Sequence, residues 1–380
     1  MSIICACFRG KILTKMLRKN HLKKSIQWGY TDKNAFFDKN THTYTLRGLY
    51  MTTIKDIANR LGIAVSTVSK GLNGAPDISE DLRQLVLDTA VEMGYKTKKM
   101  RKEEHKKLVI FVENMDYEGP DDFGHDLILG FQQMAYRDNW EVKVVPVNSH
   151  TQAREKYNTY MLKHGYSGAF AMGFALQDNW MKQIKTTDVP TALLDNYVPL
   201  NPHVGYVGTD SYEGIGLAVK RLVDLGHKKI AFLNGSPNSM VSDQRQEAYE
   251  NSLKDNGLTP DPELTAYGYY VADSARFHVP GMLEAGATAI MCGNDLIASG
   301  VLEVCKEKGL KVPEDISVIG FDDIPLAKEL TPPLTTIRQD RIELGKCAYF
   351  TLNSLMHKVS ISKTMLRPQF IERESTANVK

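Results

Sequence analysis

The sequence predicts a small all-α head joined to a two-lobed α/β body with doubly wound parallel sheets. Three observations carry this. At 380 residues the chain exceeds one ordinary domain and points to two or three units. Residues 52–95 carry helical apolar periodicity, broken by glycines into three short helices. From Leu108 onward, short apolar runs alternate with helical stretches, the pattern of parallel sheets covered by helices. Charged residues at 24% and apolar residues at 42% fit a chain that buries real cores.

The net charge of +2 is unevenly spread: residues 1–50 carry +8, residues 51–107 carry +3, and residues 108–380 carry −9. A basic front on an acidic body suggests a head that faces nucleic acid and a body that does not. A basic, unstructured terminus is the plainer reading. No run of about 18 apolar residues occurs, so no membrane span is expected. The apolar start, Met1–Phe8, lacks the preceding basic residues of a secretory signal. Five scattered cysteines (Cys5, Cys7, Cys292, Cys305, Cys347) do not make a disulfide scaffold and suggest a reducing cytoplasm.

Residues 1–50 fit poorly with the rest of the chain. Lys11, Lys15, Arg18, Lys19, Lys23 and Lys24 surround sparse apolar residues, and Lys11–Lys24 is compatible with a short basic helix serving as a DNA or membrane-surface arm. The favoured expectation is that the segment lies upstream of a true start at Met51, or is disordered.

In the head, 51–95, Ile54, Ile57, Ala58 and Leu61 mark one helix face, and Gly62 stops the helix. A second helix, about Val65–Leu72, follows a turn of three or four residues, and Asn73-Gly74 closes it. Ser79 caps a third helix that runs to Met93, with Leu82, Val86, Ala90 and Met93 inward. This is the helix-turn-helix plan. With the second helix in a major groove, Val65 and Ser66 reach base edges, and Lys70 donates to guanine O6/N7. Thr53, Ser69 and Asn73 are placed for phosphate.

The linker, 96–107, reads KTKKMRKEEHKK. Within the body, 108–380, strand-like runs are Leu108–Val112, Val142–Val147, Ala169–Met172, Thr191–Leu194, Lys229–Leu233, Ala287–Met291, Ser317–Phe321 and Leu334–Ile337. That many strands divide into two lobes, expected at about 108–208 plus 334–358 and about 209–333 plus 359–380. Ligands in such folds sit at the carboxyl ends of strands, which singles out Asp195, Arg245, Asn294 and Asp322. The guanidinium of Arg245 suits paired hydroxyls or a carboxylate. Phe123 and Tyr270 are candidates to stack on an apolar sugar face.

The stretches TIKDIANRLGIAVSTVSKGLNG and ISEDLRQLVLDTAVEMGY resemble the head of the lactose/galactose-repressor (LacI/GalR) family. MCGNDLIASGVLEVCKEKGLKVPEDISVIGFDDIPLAKELTPPLTTIRQD and RPQFIERESTA resemble its periplasmic-binding-protein-like body, so the resemblance spans 52–380. It implies DNA contact by the head set together with Tyr95, and effector contact by Asp195, Arg245, Asn294 and Asp322. It also implies a homodimer on a near-palindromic operator, with no cofactor.

Five departures qualify it. Ala64 replaces the usual capping Ser, and Lys70 the usual Arg. Glu104 sits where relatives place a Leu that wedges the minor groove, so kinking of the operator is not expected. Ala248 replaces a glycine near the pocket arginine. The acidic, extended loop Glu113–Phe123 favours a neutral sugar or a cationic effector.

Enzyme motifs are missing. Gly214-Ile215-Gly216 begins a dinucleotide fingerprint that fails at Val219, and P-loop, HExxH and GxSxG are not found. The expectation is therefore a regulator, a repressor controlled by an effector that is a sugar before a purine, rather than an enzyme.

Overall fold

The computed structural model describes residues 52–95 and 106–379, and the backbone of 35–38 and 43–46. The chain forms two compact units, Met1–Met51 and Thr52–Lys380. In the first, β1 (Ala35–Asp38) pairs antiparallel with β2 (Thr43–Leu46). The sequence reading places no strand there, although AFFD and TYTL are rich in strand-favouring types. The basic helix expected over Lys11–Lys24 and nearly all of the linker lie outside the described residues.

The head holds α1 (Ile54–Leu61), α2 (Val65–Asn73) and α3 (Glu80–Glu92). Thr53 and Asp56 form a reciprocal capping box at the start of α1. Gly62 and Gly74 take left-handed φ of 68° and 69°, which turn the chain sharply after α1 and α2. Ile57, Val68, Val86 and Ala90 meet in the core, as their spacing predicts. Tyr95, assigned to DNA by the resemblance, is only 8% exposed, and its ring packs in that core.

The first lobe is a six-stranded sheet in the order β13-β7-β6-β5-β3-β4. Its strands are β3 (Lys107–Glu113), β4 (Glu141–Val147), β5 (Gly168–Met172), β6 (Thr191–Leu194), β7 (Val204–Thr209) and β13 (Lys363–Leu366). Its helices are α4 (Phe123–Arg137), α5 (Ser149–Arg154), α6 (Tyr157–His164), α7 (Asn179–Ile184) and, far along the chain, α13 (Arg341–Met356). Phe131 of α4 stacks on Phe170 at 5.4 Å and meets Tyr349 of α13 edge-on. Burying each such ring stabilises by about 1.5–3 kcal/mol.

The second lobe is ordered β14-β12-β11-β10-β8-β9. Its strands are β8 (Ile230–Asn234), β9 (Thr265–Tyr267), β10 (Ala289–Cys292), β11 (Ser317–Asp322), β12 (Thr335–Arg338) and β14 (Gln369–Ile371). The helices around it are α8 (Ser211–Asp224), α9 (Met240–Asp255), α10 (Ala275–Glu284), α11 (Asp295–Glu307) and the short α12 (Leu326–Glu329). Within the two lobes all pairings are parallel except β12 with β14. Strands β5, β8, β10 and β11 are buried at every position, as expected for sheets covered on both faces.

The expected lobe boundaries need correction. The strand at 334–337 belongs to the second lobe, as β12, and 363–366 of the terminal segment belongs to the first, as β13. The chain therefore crosses between lobes near 209–211, 338–341 and 366–369. Neighbouring strands in sequence need not share a sheet when a hinge lies between them, and no local pattern marks that change.

Candidate functional site

In the head, the set predicted for DNA is mostly on the surface. Val65 is 44% exposed despite being apolar, and Ser66, Lys70 and Asn73 are exposed, with Ser69 partly so. Thr53 is exposed, but its hydroxyl is committed to Asp56. The Asn73 side chain donates to the Ser69 carbonyl at 2.8 Å, which orients it along α2. Lys70 is ion-paired with Asp77, a partner that sequence reasoning missed. The ammonium holds the Asp77 carboxyl below its usual range. Ala64 occupies the N-cap of α2 with no side-chain cap, which leaves amide hydrogens at that tip without the usual acceptor.

In the body, three predicted residues converge from both lobes. Asp195 follows β6, Asp322 ends β11, and Arg245 lies on α9. Arg245 is 3% exposed, and its guanidinium lies 3.8 Å from the Phe321 ring centroid. One terminal nitrogen donates to the Gly293 carbonyl at 2.6 Å. Its buried Nε has no partner among the described residues. Burial pushes the Asp195 carboxyl up to about 6. The Arg245 charge opposes the rise, Asp322 adds to it, and the Tyr206 hydroxyl opposes it. Burial likewise raises Asp322 to about 6, against Arg245 and against a 2.7 Å hydrogen bond from Gln339. The cluster is thus two carboxylates facing one buried cation.

Asn294 and Tyr270 form an adjoining pair. Asn294 caps α11 through Ile297 N at 2.8 Å, and its amide nitrogen lies 3.4 Å from the Tyr270 carbonyl. Tyr270 shares a 2.9 Å hydrogen bond with Ser242 of α9. Its ring lies over Gly235, where a Cβ would come within 2.1 Å of it, so only glycine admits the ring. Phe123 instead opens α4 and packs half-buried against the first lobe's core, beside Met115 and Tyr117.

Backbone strain concentrates here. Asp195, Tyr269, Tyr270, Asp322 and Asp323 have φ of 55°, 53°, 60°, 107° and 55°. Non-glycine residues held in this region store of order 1–3 kcal/mol each, and such strain clusters at ligand clamps. A contact also bridges the lobes: Tyr197 N lies 3.1 Å from the Met240 sulfur.

Gln339 and Tyr206 were missed. Gln339 directly follows β12, so the carboxyl-end rule would have found it. Tyr206 lies inside β7 and carries no such signal. Arg341 pairs with Asp126 of α4 at 2.9 Å and reaches the Asp122 carbonyl at 3.4 Å, a part-buried tie within the first lobe just after the crossing at 338–341.

Comparison with known proteins bears on both regions. Residues 53–98 match the model of bacterial regulatory proteins of the lacI family, and 219–376 match a periplasmic binding protein-like domain. The HTH-type transcriptional repressor PurR of Actinobacillus pleuropneumoniae is 27% identical over 328 residues, 85% of this chain and 95% of its own. PurR of Haemophilus influenzae (strain PittEE) is 27% identical over 87% of this chain and all of its own length. Among solved structures, a lac repressor dimer bound to operator and the anti-inducer ONPF has a TM-score of 0.63. It shares 25% identity over 86% of this chain and all of its own. A CelR–cellobiose complex shares the fold with a TM-score of 0.65 at 22% identity, over 85% of this chain and 99% of its own.

Proposed function

We propose that this chain, which belongs to the lacI family of bacterial regulatory proteins, is a transcriptional repressor whose operator affinity is set by a small effector bound between its lobes. The convergence of Asp195, Arg245 and Asp322 from both lobes carries the reading. A ligand held by all three binds the closed arrangement of the lobes better than an open one. That difference in affinity is what a conformational switch requires. About 3 kcal/mol of coupling would change operator affinity more than a hundredfold.

The chemistry of the cluster favours a purine base, acting as corepressor, over a sugar. Two carboxylates accept from ring or exocyclic N–H groups, while Arg245 donates to a carbonyl oxygen or ring nitrogen. Tyr270 offers a flat face. The repressors named PurR among its relatives point the same way. The sugar expected from the sequence rests on hydroxyl recognition by the same groups, which the cluster also permits.

In the head, Val65 and Ser66 read base edges, Lys70 reads guanine, and Thr53, Ser69 and Asn73 hold phosphate. Two copies of the chain place two heads on a near-palindrome. Among the described residues no helix is long and apolar enough to cross a membrane.

Two measurements test this. Selection of bound DNA from a random pool should return a palindrome. Calorimetric titration with hypoxanthine, guanine and a set of neutral hexoses should give heat with a purine, and that purine should tighten binding to the selected DNA. Heat with a hexose alone restores the sugar reading, and loosened DNA binding on ligand addition makes the effector an inducer.

A further inference from the structure

The head does more than precede the body: its third helix lies against the first lobe. On α3, residues Val86, Leu87, Thr89 and Ala90 are all buried. At 100° per residue those positions spread over an arc of about 160°, a broad face that α1 and α2 share with a further element. The added cover is α6. Its Leu162, 8% exposed, joins the apolar cluster of Ile57, Val68, Val86 and Leu87.

Polar contacts surround this apolar centre. Thr159, fully buried, donates to Asp88 at 2.6 Å. Lys156 lies 3.4 Å from the other oxygen of Asp88. Lys163 bonds Glu80 at 3.1 Å and is braced from its own lobe by Glu155 at 3.4 Å. The lobe contributes cations and the head contributes anions, and the Lys163 ammonium holds the Glu80 carboxyl below its usual range. The recognition helix α2 keeps Val65, Ser66 and Lys70 exposed in this arrangement. Docking and DNA reading therefore use different faces of the head.

The geometry points to α6 as a docking surface for the head of the same chain, one that fixes the orientation of the head on the first lobe. The α6 surface is also tied to the cleft wall. Tyr157, the first residue of α6, shares a 2.7 Å hydrogen bond with Thr191, which begins β6, and Asp195 follows that strand. The first lobe thus carries the head with it when the lobes move, whatever the effector proves to be.

The test is a charge swap in the full chain, read by hydrogen exchange of the 52–95 peptides at 50 and 500 mM salt, with β8 and β10 peptides as the folding control. Glu80→Lys, which sets two cations against each other, should raise exchange in α3 roughly tenfold at 50 mM salt and reverse its salt dependence, because salt screens the new repulsion. Adding Lys163→Glu should bring exchange back to within about twofold of the parent. Leu162→Ser should loosen the head at both salt concentrations. Parent-like exchange in Glu80→Lys, or a double variant no more protected than the single ones, overturns the proposal.

Discussion

In the head, the side chains aimed at a partner stand in water. Val65, Ser66, Lys70 and Asn73 are exposed, and the ion pair of Lys70 with Asp77 is a surface pair. In the cleft, the corresponding groups are withdrawn: Arg245 is 3% exposed, Asp322 is 8% exposed, and both carboxyls are pushed up to about 6. Phosphate can be met by mobile, solvated charges, because the ligand brings a high charge density of its own. A small effector brings little charge, so its site must supply strong, fixed electrostatics from a buried place. The head should therefore respond to substitution gently and with salt dependence, whereas the cleft should respond abruptly.

The largest contrast is expected for Arg245→Ala. Removing the cation between them leaves two carboxylates facing each other, a loss of about 3 kcal/mol in stability that thermal unfolding would register. Effector affinity in calorimetry should fall at least about a hundredfold, while binding of the effector-free protein to DNA stays near parent. Unchanged effector affinity would remove Arg245 from the site.

The cleft should next reveal itself through pH. Asp195 and Asp322 have folded values near 6, above the ordinary 3.8. The folded protein therefore holds protons that the unfolded chain releases. This contribution to stability is full below about pH 4 and disappears as pH rises through 6. Asp322→Asn should flatten that slope and raise the melting temperature at pH 7.5 by a few degrees. An unaltered slope would mean that other groups dominate this range.

In the head, Lys70→Ala should relax preference at one base pair, at about 1–3 kcal/mol of discrimination. Asp77→Asn, which frees the ammonium, should tighten DNA binding and steepen its salt dependence. Equal weakening of all sequences by Lys70→Ala would make Lys70 a phosphate contact alone. The smallest effect is expected for Ala64→Ser. It supplies the cap that α2 lacks and should stabilise the head by about 1 kcal/mol, seen as greater protection of its amides. No gain would show that the open amides at that tip are already satisfied by water.

Legibility followed the same division. The head could be read almost whole, because its core, turns and exposed set are spaced within one continuous stretch of 44 residues. Tyr95 was the exception, since spacing cannot distinguish a buried ring from a presented one. The strands of the body were also largely legible, apart from β7, whose two glycines break its apolar run, and the short β9, β13 and β14. The cleft was half legible. The carboxyl-end rule singled out Asp195 and Asp322 in opposite lobes, but Tyr206, inside β7, carried no such signal. The Lys70–Asp77 and Lys163–Glu80 pairs were not legible, because any surface lysine has many acidic neighbours in sequence.

The three crossings between lobes also set an order in time. The first lobe gains its edge strand β13 only when residue 366 has been made, and the second lobe gains β14 a few residues later. The helices of the head are complete by residue 95. At about 5–20 residues per second, the nascent head precedes a finished body by roughly a quarter-minute to a minute. For that interval the DNA-reading element exists without its control, held back mainly by its own small core and by the lack of a partner head.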